Sequence, residues 1–396
     1  MKTNILVTGI VLATVGAVLI YPTIRGNAAT TPPPRDITAP FAAKRVEVVF
    51  VLDTTGSMGG LIHAAKEKIW SIASTLAQAQ QVPEISMGLV AYRDRGDAYV
   101  TRVVDLNRDL DSLYAQLMDF AADGGGDGPE AVNEALEAAI DRMSWSNDQS
   151  TYRVVFLVGD APPHMDYQDD VKYPQVVAAA AAKGIVINTI QCGSMSETVA
   201  PWRHIASLGG GRYFTVEQSG GAVAIETPFD GEIAALSAQL DGTRLYYGTA
   251  EQQRAMEAKV DATARLNEEA SVTARARRGA FNASAAGAGN FLGERELVAD
   301  VASGRVNLGA VPPAELPAAV AALPLDEQRA LLAATAEKRE ELKRQLSALA
   351  AERDGYIKEQ VDAAGGAAAS RDQQLYEAVR AQAAPLGLEY EDGPRF

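Results

Sequence analysis

Three polar residues at alternate positions, Asp53, Thr55 and Ser57, are the first group in this sequence that could do chemistry. A carboxylate and two hydroxyls are hard oxygen donors, the ligands that divalent cations such as Mg²⁺ and Ca²⁺ prefer. They follow an apolar run, Val48–Leu52, whose β-branched and aromatic residues predict a strand buried on both faces. Helical spacing of apolar residues begins at Leu61. The three oxygens therefore leave the carboxyl end of a strand, where open α/β sheets bind their ligands.

Two later segments supply further acidic residues. Tyr152–Gly159 reads as a second buried strand, and it ends at Asp160. Between the two strands a glycine loop, Asp123–Leu136, runs into a helix predicted to start at Pro129, and this loop contains Asp127. Carboxylates gathered at one sheet edge raise one another's pKa unless a cation offsets their charge. Taken singly, the same residues also suit helix caps and turns, and Asp127 suits the cap of the helix near Pro129.

The pattern Asp-x-Thr-x-Ser after a buried strand resembles the metal-ion-dependent adhesion site of the von Willebrand factor type A family, over roughly Arg45–Gln218. The resemblance implies an α/β fold with a doubly wound, mostly parallel sheet, helices on both faces and one short antiparallel edge strand. It also implies a site for Mg²⁺, or for Mn²⁺ or Ca²⁺, with one coordination position left for a partner's carboxylate or for water. The implied metal residues are Asp53, Thr55, Ser57, Asp127 and Asp160. The family usually offers a threonine where Asp127 is the nearest equivalent, so this chain departs from it by adding a charge.

The same stretch also suggests an enzyme as an alternative to the metal site. Thr55–Gly59 approaches the nucleophile elbow G-x-S-x-G, and Asp160 and His204 follow Ser57 in the order of α/β-hydrolases. The first glycine of that motif is missing, and the hydrolase hypothesis leaves Asp53 without a role. We therefore predict that the chain is not an enzyme and that it has no catalytic residues.

Length and charge narrow the function classes further. With 396 residues the chain is long enough for two domains. Its formal net charge of −15 argues against a nucleic-acid partner, because such an interface begins with clustered Lys and Arg, and it favours divalent cations. The one cysteine, Cys192, excludes an internal disulfide.

The first residues predict export. Met1–Arg25 carries an apolar run of about 17 residues, the lower limit for a membrane-spanning helix and also suitable for a signal peptide. Residues 26–44 form a Pro-rich linker, which suits a domain held away from a membrane surface. We expect a cell-envelope protein on the periplasmic or extracytoplasmic face, anchored in the membrane if the segment is not cleaved.

Alternating strands and helices are predicted over residues 45–220, and a mainly helical region over 221–396. The expected strands after the first are Glu84–Tyr92, Tyr99–Leu106, Tyr152–Gly159, Ile185–Gln191 and Gly211–Val216. In the second region, Glu251–Phe281 is predicted to be one helix. Leu325–Ala363 is predicted to be a long helix with a heptad stripe interrupted by Thr335, Arg339 and Arg353, for which packing within a helical domain is a plainer interpretation than a coiled coil. This tail resembles the helical extensions of bacterial exported von Willebrand type A proteins.

These observations favour a divalent-cation-dependent protein-binding module, acting in adhesion or as a scaffold, with a protein partner. The alternative within the same class of exported proteins is an envelope scaffold that acts through its helical tail and whose metal site is vestigial. A further loop, Arg93–Asp97, lies near the carboxyl edge of the sheet and could line the metal site, but an exposed salt-bridged turn is the favoured interpretation.

Overall fold

The computed structural model describes residues 44–126, 128–216, 225–363 and 371–390. One six-stranded sheet lies at its centre, in the order β3-β2-β1-β4-β5-β6. The strands are β1 Arg45–Asp53, β2 Glu84–Tyr92, β3 Thr101–Asn107, β4 Tyr152–Gly159, β5 Ile185–Cys192 and β6 Gly210–Val216. All neighbouring strands are parallel except β3, which runs antiparallel to β2 at one edge. The predicted α/β class, doubly wound order and antiparallel edge strand are confirmed.

Helices connect the strands and then form the second half of the chain. Those within the sheet region are α1 Gly59–Ala77, α2 Leu110–Met118, α3 Val132–Asp141, α4 Tyr173–Ala182 and α5 Ser196–Leu208. The later ones are α6 Asp230–Asp241, α7 Ala250–Glu269, α8 Val272–Ala283, α9 Ala288–Leu292, α10 Leu297–Ala302, α11 Ala318–Ala321, α12 Leu325–Ala363 and α13 Arg371–Ala383. The mainly helical C-terminal region predicted from composition is confirmed, including the bounds of its longest helix.

The central strand β1 divides the core into two layers because successive side chains point to opposite faces. Val49 and Val51 pack with α3, α4 and α5 on one face. Val48 and Phe50 face the other side, where they join a core that contains Trp70 of α1 and residues of α7, α8 and α13. The helical region thus completes one face of the sheet, and the described residues belong to one compact unit.

Two helix boundaries differ from the prediction. The helix expected from Pro129 begins at Val132, because the backbone of Glu130 bonds to Pro162 and His164 instead of entering a helix. Its N-cap is Ala131. The single helix expected over Glu251–Phe281 is two, since Ala270 is extended and Ser271 caps a new start by accepting from the amide of Ala274.

None of the helices within the described ranges is long and apolar enough to cross a membrane. Residues 1–43, which hold the predicted signal peptide or anchor and all but the last residue of the predicted linker, lie outside those ranges, as does the candidate ligand Asp127.

Candidate metal centre

The turn after β1 holds the first three predicted site residues. Asp53 and Thr55 are fully buried and Ser57 is exposed. The backbone amide and the hydroxyl of Thr55 both donate to Asp53 Oδ1, at 2.9 Å and 2.7 Å. This short Asx-type turn fixes the carboxylate against its own backbone and lets the chain enter α1 within six residues of the strand end.

Asp160 meets this turn because β4 lies beside β1 in parallel register, with Leu52 opposite Val158. Ser57 Oγ donates to Asp160 Oδ1 at 3.1 Å, and the hydroxyl oxygens of Thr55 and Ser57 are 3.1 Å apart. The structure thus brings Asp53, Thr55, Ser57 and Asp160 into one continuous chain of short polar contacts at the carboxyl edge of the sheet. These are four of the five residues predicted from the sequence.

The electrostatics of Asp53 suit a bound cation. Its Oδ2 is buried and accepts no hydrogen bond of ordinary geometry from the described residues. Burial raises the pKa of Asp53 to about 7; the two bonds from Thr55 and the backbone of Asp160 oppose that rise, and the charge of the Asp160 carboxylate adds to it. A divalent ion would offset the charge and give Oδ2 a partner, so this donor set of two carboxylates and two hydroxyls fits a hard cation.

The described residues of the site do not form a cage of acidic side chains. Within the described ranges, no group of three or more His, Cys, Asp or Glu side chains is arranged to hold a metal. Any ion bound here would depend on the hydroxyls of Thr55 and Ser57 as much as on the carboxylates of Asp53 and Asp160.

Sequence reasoning missed two buried neighbours, Glu130 and Tyr92. Glu130 is 3% exposed, and burial, followed by repulsion from Asp53, raises its pKa to about 9. The Tyr92 hydroxyl and Glu130 Oε2 are buried without hydrogen-bond partners. An alanine Cβ at Gly159 would lie 2.4 Å from the Tyr92 hydroxyl and 3.0 Å from Asp53 Oδ2, so Tyr92 reaches the inner side of the site.

The sequence contained a signal for Glu130 but a weak one. It follows Pro129 at what looked like a helix start, where an acidic residue is ordinarily explained by the helix dipole. Tyr92, at the end of β2, looked like a core aromatic residue.

The loop Arg93–Asp97 is not the exposed turn that was predicted. Arg93 and Asp94 are 6% and 7% exposed. Arg93 donates to the carbonyl of Ala121 at 3.0 Å, and Asp97 Oδ2 accepts from the amide of Gly125 at 3.0 Å. Strand β2 ends beside β1, so the loop Arg93–Asp97 lies under the glycine loop. The bonds from Arg93 and to Asp97 hold the glycine loop against the site.

A second network supports the same loop from the other side. His164, buried after β4, lies with Nδ1 2.8 Å from Asp166 Oδ1 and Nε2 3.1 Å from the Tyr167 hydroxyl. That hydroxyl donates to Asp94 at 3.1 Å. The loops after β2 and β4 are therefore tied together above the sheet edge.

The geometry does not support the hydrolase hypothesis. Ser57 bonds to Asp160 directly, without a histidine between them. His204 lies on α5 with Nδ1 2.9 Å from the hydroxyl of Tyr173, on α4. A nucleophile relay needs the histidine to bridge the serine and the acid.

Comparison with known proteins agrees with the resemblance. Residues 47–227 match the sequence profile of the von Willebrand factor A domain. The chain is 37% identical over 114 residues to von Willebrand factor A domain-containing protein 7 of Rattus norvegicus, covering 29% of this chain and 12% of that protein. It is 30% identical over 125 residues to the alpha-protein kinase vwkA of Dictyostelium discoideum, covering 31% of this chain and 19% of that protein.

The matched segment thus spans less than a fifth of the length of these relatives. Among solved structures, the chain is similar to the SpRpn10 VWA domain, with 14% identity and a TM-score of 0.35, covering 47% of this chain and 96% of that one. Together, the profile match and the shared sequence identity support a von Willebrand factor A domain within residues 47–227.

Proposed function

We propose that this protein is a divalent-cation-dependent protein-binding module and not an enzyme. The observation that carries the proposal is the polar chain from Asp53 through Thr55 and Ser57 to Asp160, with Asp53 Oδ2 buried and unpartnered. These four residues would hold the ion, which when bound supplies positive charge at the sheet edge. His204, the base that a serine hydrolase would need, contacts Tyr173 instead of Ser57.

The surroundings of the site favour a protein partner. Met165 and Met195, in the loops after β4 and β5, are 51% and 39% exposed. Exposed, flexible methionines are common on protein-binding surfaces. They stand at the same edge of the sheet as Asp53 and Asp160, so a partner that contacts the ion would also bury them.

The first prediction is that Mg²⁺, Mn²⁺ or Ca²⁺ stabilises the full chain after prior chelation. A ligand that binds only the native state adds about 2.7 kcal/mol to the free energy of unfolding at a hundred times its dissociation constant. We expect the melting temperature to rise with millimolar cation and the rise to disappear in Asp53→Asn. In chelator, Asp53→Asn should be at least as stable as the wild type, because it removes a buried charge.

The matched control is Asp169→Asn, which removes an aspartate of the same sheet edge whose side chain is 75% exposed. Its melting curve should respond to cation as the wild type does. A wild-type melting temperature that no cation changes would refute the proposal. Partner capture in the presence and absence of chelator, compared between wild type and Asp53→Asn, then tests whether binding depends on the ion.

We also propose display outside the cytoplasmic membrane, on the strength of the apolar run in Met1–Arg25 and the Pro-rich segment after it. Protease added to intact spheroplasts should then digest the folded part. Protection until the membrane is broken would contradict this location.

A further inference from the structure

A cavity of about 200 Å³ lies at the edge of the sheet opposite the candidate metal centre. Glu84, the first residue of β2, lines the cavity, whereas Tyr92, the last residue of that strand, reaches the metal centre. The nine residues of β2, at about 3.3 Å each, put roughly 25–30 Å between the two places. A molecule bound in the cavity would therefore not touch the metal centre.

The walls of this cavity come from both regions of the chain. Ile85 of β2 and Leu110 of α2 belong to the sheet region, and Phe281 of α8 belongs to the helical region. Asn290 of α9 also lines the cavity, and its Oδ1 accepts from the amides of Leu110 and Asp111 at 2.7 Å and 3.3 Å. The cavity thus lies at a joint between the two regions, a common place for ligand sites.

Two charged residues of the wall also reach solvent. The side chains of Arg108 and Glu84 are 55% and 34% exposed, and Arg108 Nη2 lies 3.3 Å from Glu84 Oε1. Arg45 Nε lies 3.6 Å from the other oxygen, Glu84 Oε2, so positive charge is in excess here. Arg108 donates no hydrogen bond to the described part of the chain, which leaves most of its N–H groups available to a ligand.

We propose that this cavity binds a small organic acid whose α-carbon carries an amino or a hydroxyl group. Arg108 would hold the carboxylate, since a planar guanidinium suits two parallel bonds to a carboxylate. The amino or hydroxyl group would donate to Glu84, and an apolar body would lie against Ile85, Leu110 and Phe281. Separating Arg108 from Glu84 to admit the ligand costs little, because exposed ion pairs add little to stability.

The volume of the cavity sets the size of the ligand. A water molecule takes about 30 Å³ of the liquid, so the cavity has room for about seven waters. That space suits an acid of the size of leucine and excludes a nucleotide or a folded partner. A peptide terminus carries either a carboxylate or an amino group, so it would match only one of Arg108 and Glu84. A free amino acid and a free 2-hydroxy acid have both groups on adjacent atoms.

Titration calorimetry of the full chain with four molecules of one carbon skeleton tests this inference. We expect saturable binding of L-leucine or of 2-hydroxy-4-methylpentanoate, and the tighter of the two identifies the amino acid or the hydroxy acid as the ligand class. Leucinamide, which lacks the carboxylate, should bind at least tenfold more weakly, because the charged bonds to Arg108 are lost. 4-Methylpentanoate, which lacks the donor to Glu84, should bind at least threefold more weakly.

Two variants locate the ligand. Arg108→Gln should weaken binding of the tighter acid at least tenfold. Ala285→Leu, which enlarges an exposed residue of the cavity wall, should do the same by filling the space. The matched control is Arg45→Gln, since Arg45 is 53% exposed and contacts the same Glu84 but does not line the cavity. Its affinity should stay within about twofold of the wild type, as expected for an exposed charge outside the site.

Several results would overturn the proposal. The wild type might bind neither acid at millimolar concentration, or Ala285→Leu might bind as tightly as the wild type, which would place the acid outside the cavity. Equal losses in Arg108→Gln and Arg45→Gln would show that positive charge alone attracts the acid. If Arg108→Gln does not fold, Ala285→Leu and leucinamide decide the question. Chelator should change none of these affinities, so the outcome is separate from that of the metal centre.

Discussion

Asp111 is a fully buried carboxylate that lies outside the metal site. Its surroundings differ from those of Asp53. Arg278 donates to both oxygens of Asp111, at 2.7 Å and 2.6 Å, and the same guanidinium also bonds to both oxygens of Asp241. Burial alone would raise the pKa of Asp111, but Arg278 and Lys259 hold it well below its ordinary value. Positively charged side chains of the protein itself thus compensate this buried acid. Among the described residues, no such cation compensates Asp53 or Glu130.

This compensation predicts a pH dependence of stability. Because the folded pKa of Asp111 lies below its unfolded value of about 3.9, its contribution to stability is present above that pH and is lost as the pH falls toward the folded pKa. Asp111→Asn should lower the free energy of unfolding at pH 5 by about 3–5 kcal/mol, as expected when one partner of a buried pair is removed. It should also flatten the further loss of stability on acidification.

Urea unfolding at pH 5 and pH 3 measures both effects. Asp119→Asn, at the end of the same helix with a side chain that is 57% exposed, is the control and should change stability by less than about 1 kcal/mol. If the free energy of unfolding falls equally in Asp111→Asn and in the wild type between pH 5 and pH 3, the pKa of Asp111 is not lowered in the folded protein.

Sequence reasoning found those site residues whose place follows from strand ends. Asp53, Thr55, Ser57 and Asp160 come directly after buried apolar runs, and parallel pairing carries such positions to one edge. Glu130 and Tyr92 could not be found in this way, because their role depends on how a loop folds across the site. The local pattern around each has an ordinary explanation, and only the tertiary contacts show that both are buried and unpartnered.

At the scale of elements, strands were easier to predict than helix boundaries. Strands β2 and β4 have the predicted bounds, because each ends in an apolar run, Leu89–Tyr92 and Val154–Val158, of the kind typical of strands buried on both faces. The break between α7 and α8 occurs at Ala270, a residue with strong helix propensity. The only local signal is Ser271, the N-cap of α8, and a serine also occurs within helices. After the break, Phe281 of α8 packs against Trp70, with ring centroids 6.0 Å apart.

The long helix α12 also contains contacts that the local sequence does not predict. Arg339 and Arg353, predicted to interrupt its apolar stripe, lie on the buried face. Arg339 donates to both oxygens of Glu296, at 2.9 Å and 3.0 Å, and Arg353 donates to Asp230 at 2.8 Å. Paired arginines therefore fill stripe positions of α12, which supports the interpretation that α12 packs against other helices of this region and not in a coiled coil.

At the scale of the whole molecule, the helical region is joined to the sheet by shared core and by polar contacts. The carboxyl-terminal part bonds back to the start of the fold: Lys44 Nζ donates to the carbonyl of Leu386 at 2.8 Å, and the amide of Gln80 to that of Glu389 at 2.8 Å. The hydroxyl of Tyr152 on β4 donates to Gln382 at 2.7 Å. Chain segments more than two hundred residues apart thus cover the same sheet face.

The last prediction follows from this shared core: a fragment of residues 44–224 should not fold cooperatively, even though it contains the whole sheet. Its core face would lose Leu266, Phe281 and Tyr376, each worth about 1.5–3 kcal/mol of burial, and would expose Trp70. Asp111 would lose Arg278 as well. These losses approach the 5–15 kcal/mol by which a typical domain is stable. Chemical unfolding followed by circular dichroism should show a broad transition in the fragment and a sharp one in the full chain. Co-expression with residues 225–396 is the control and should restore the sharp transition. A fragment that unfolds cooperatively at the denaturant midpoint of the full chain would show that the helices only cover a sheet that is stable without them.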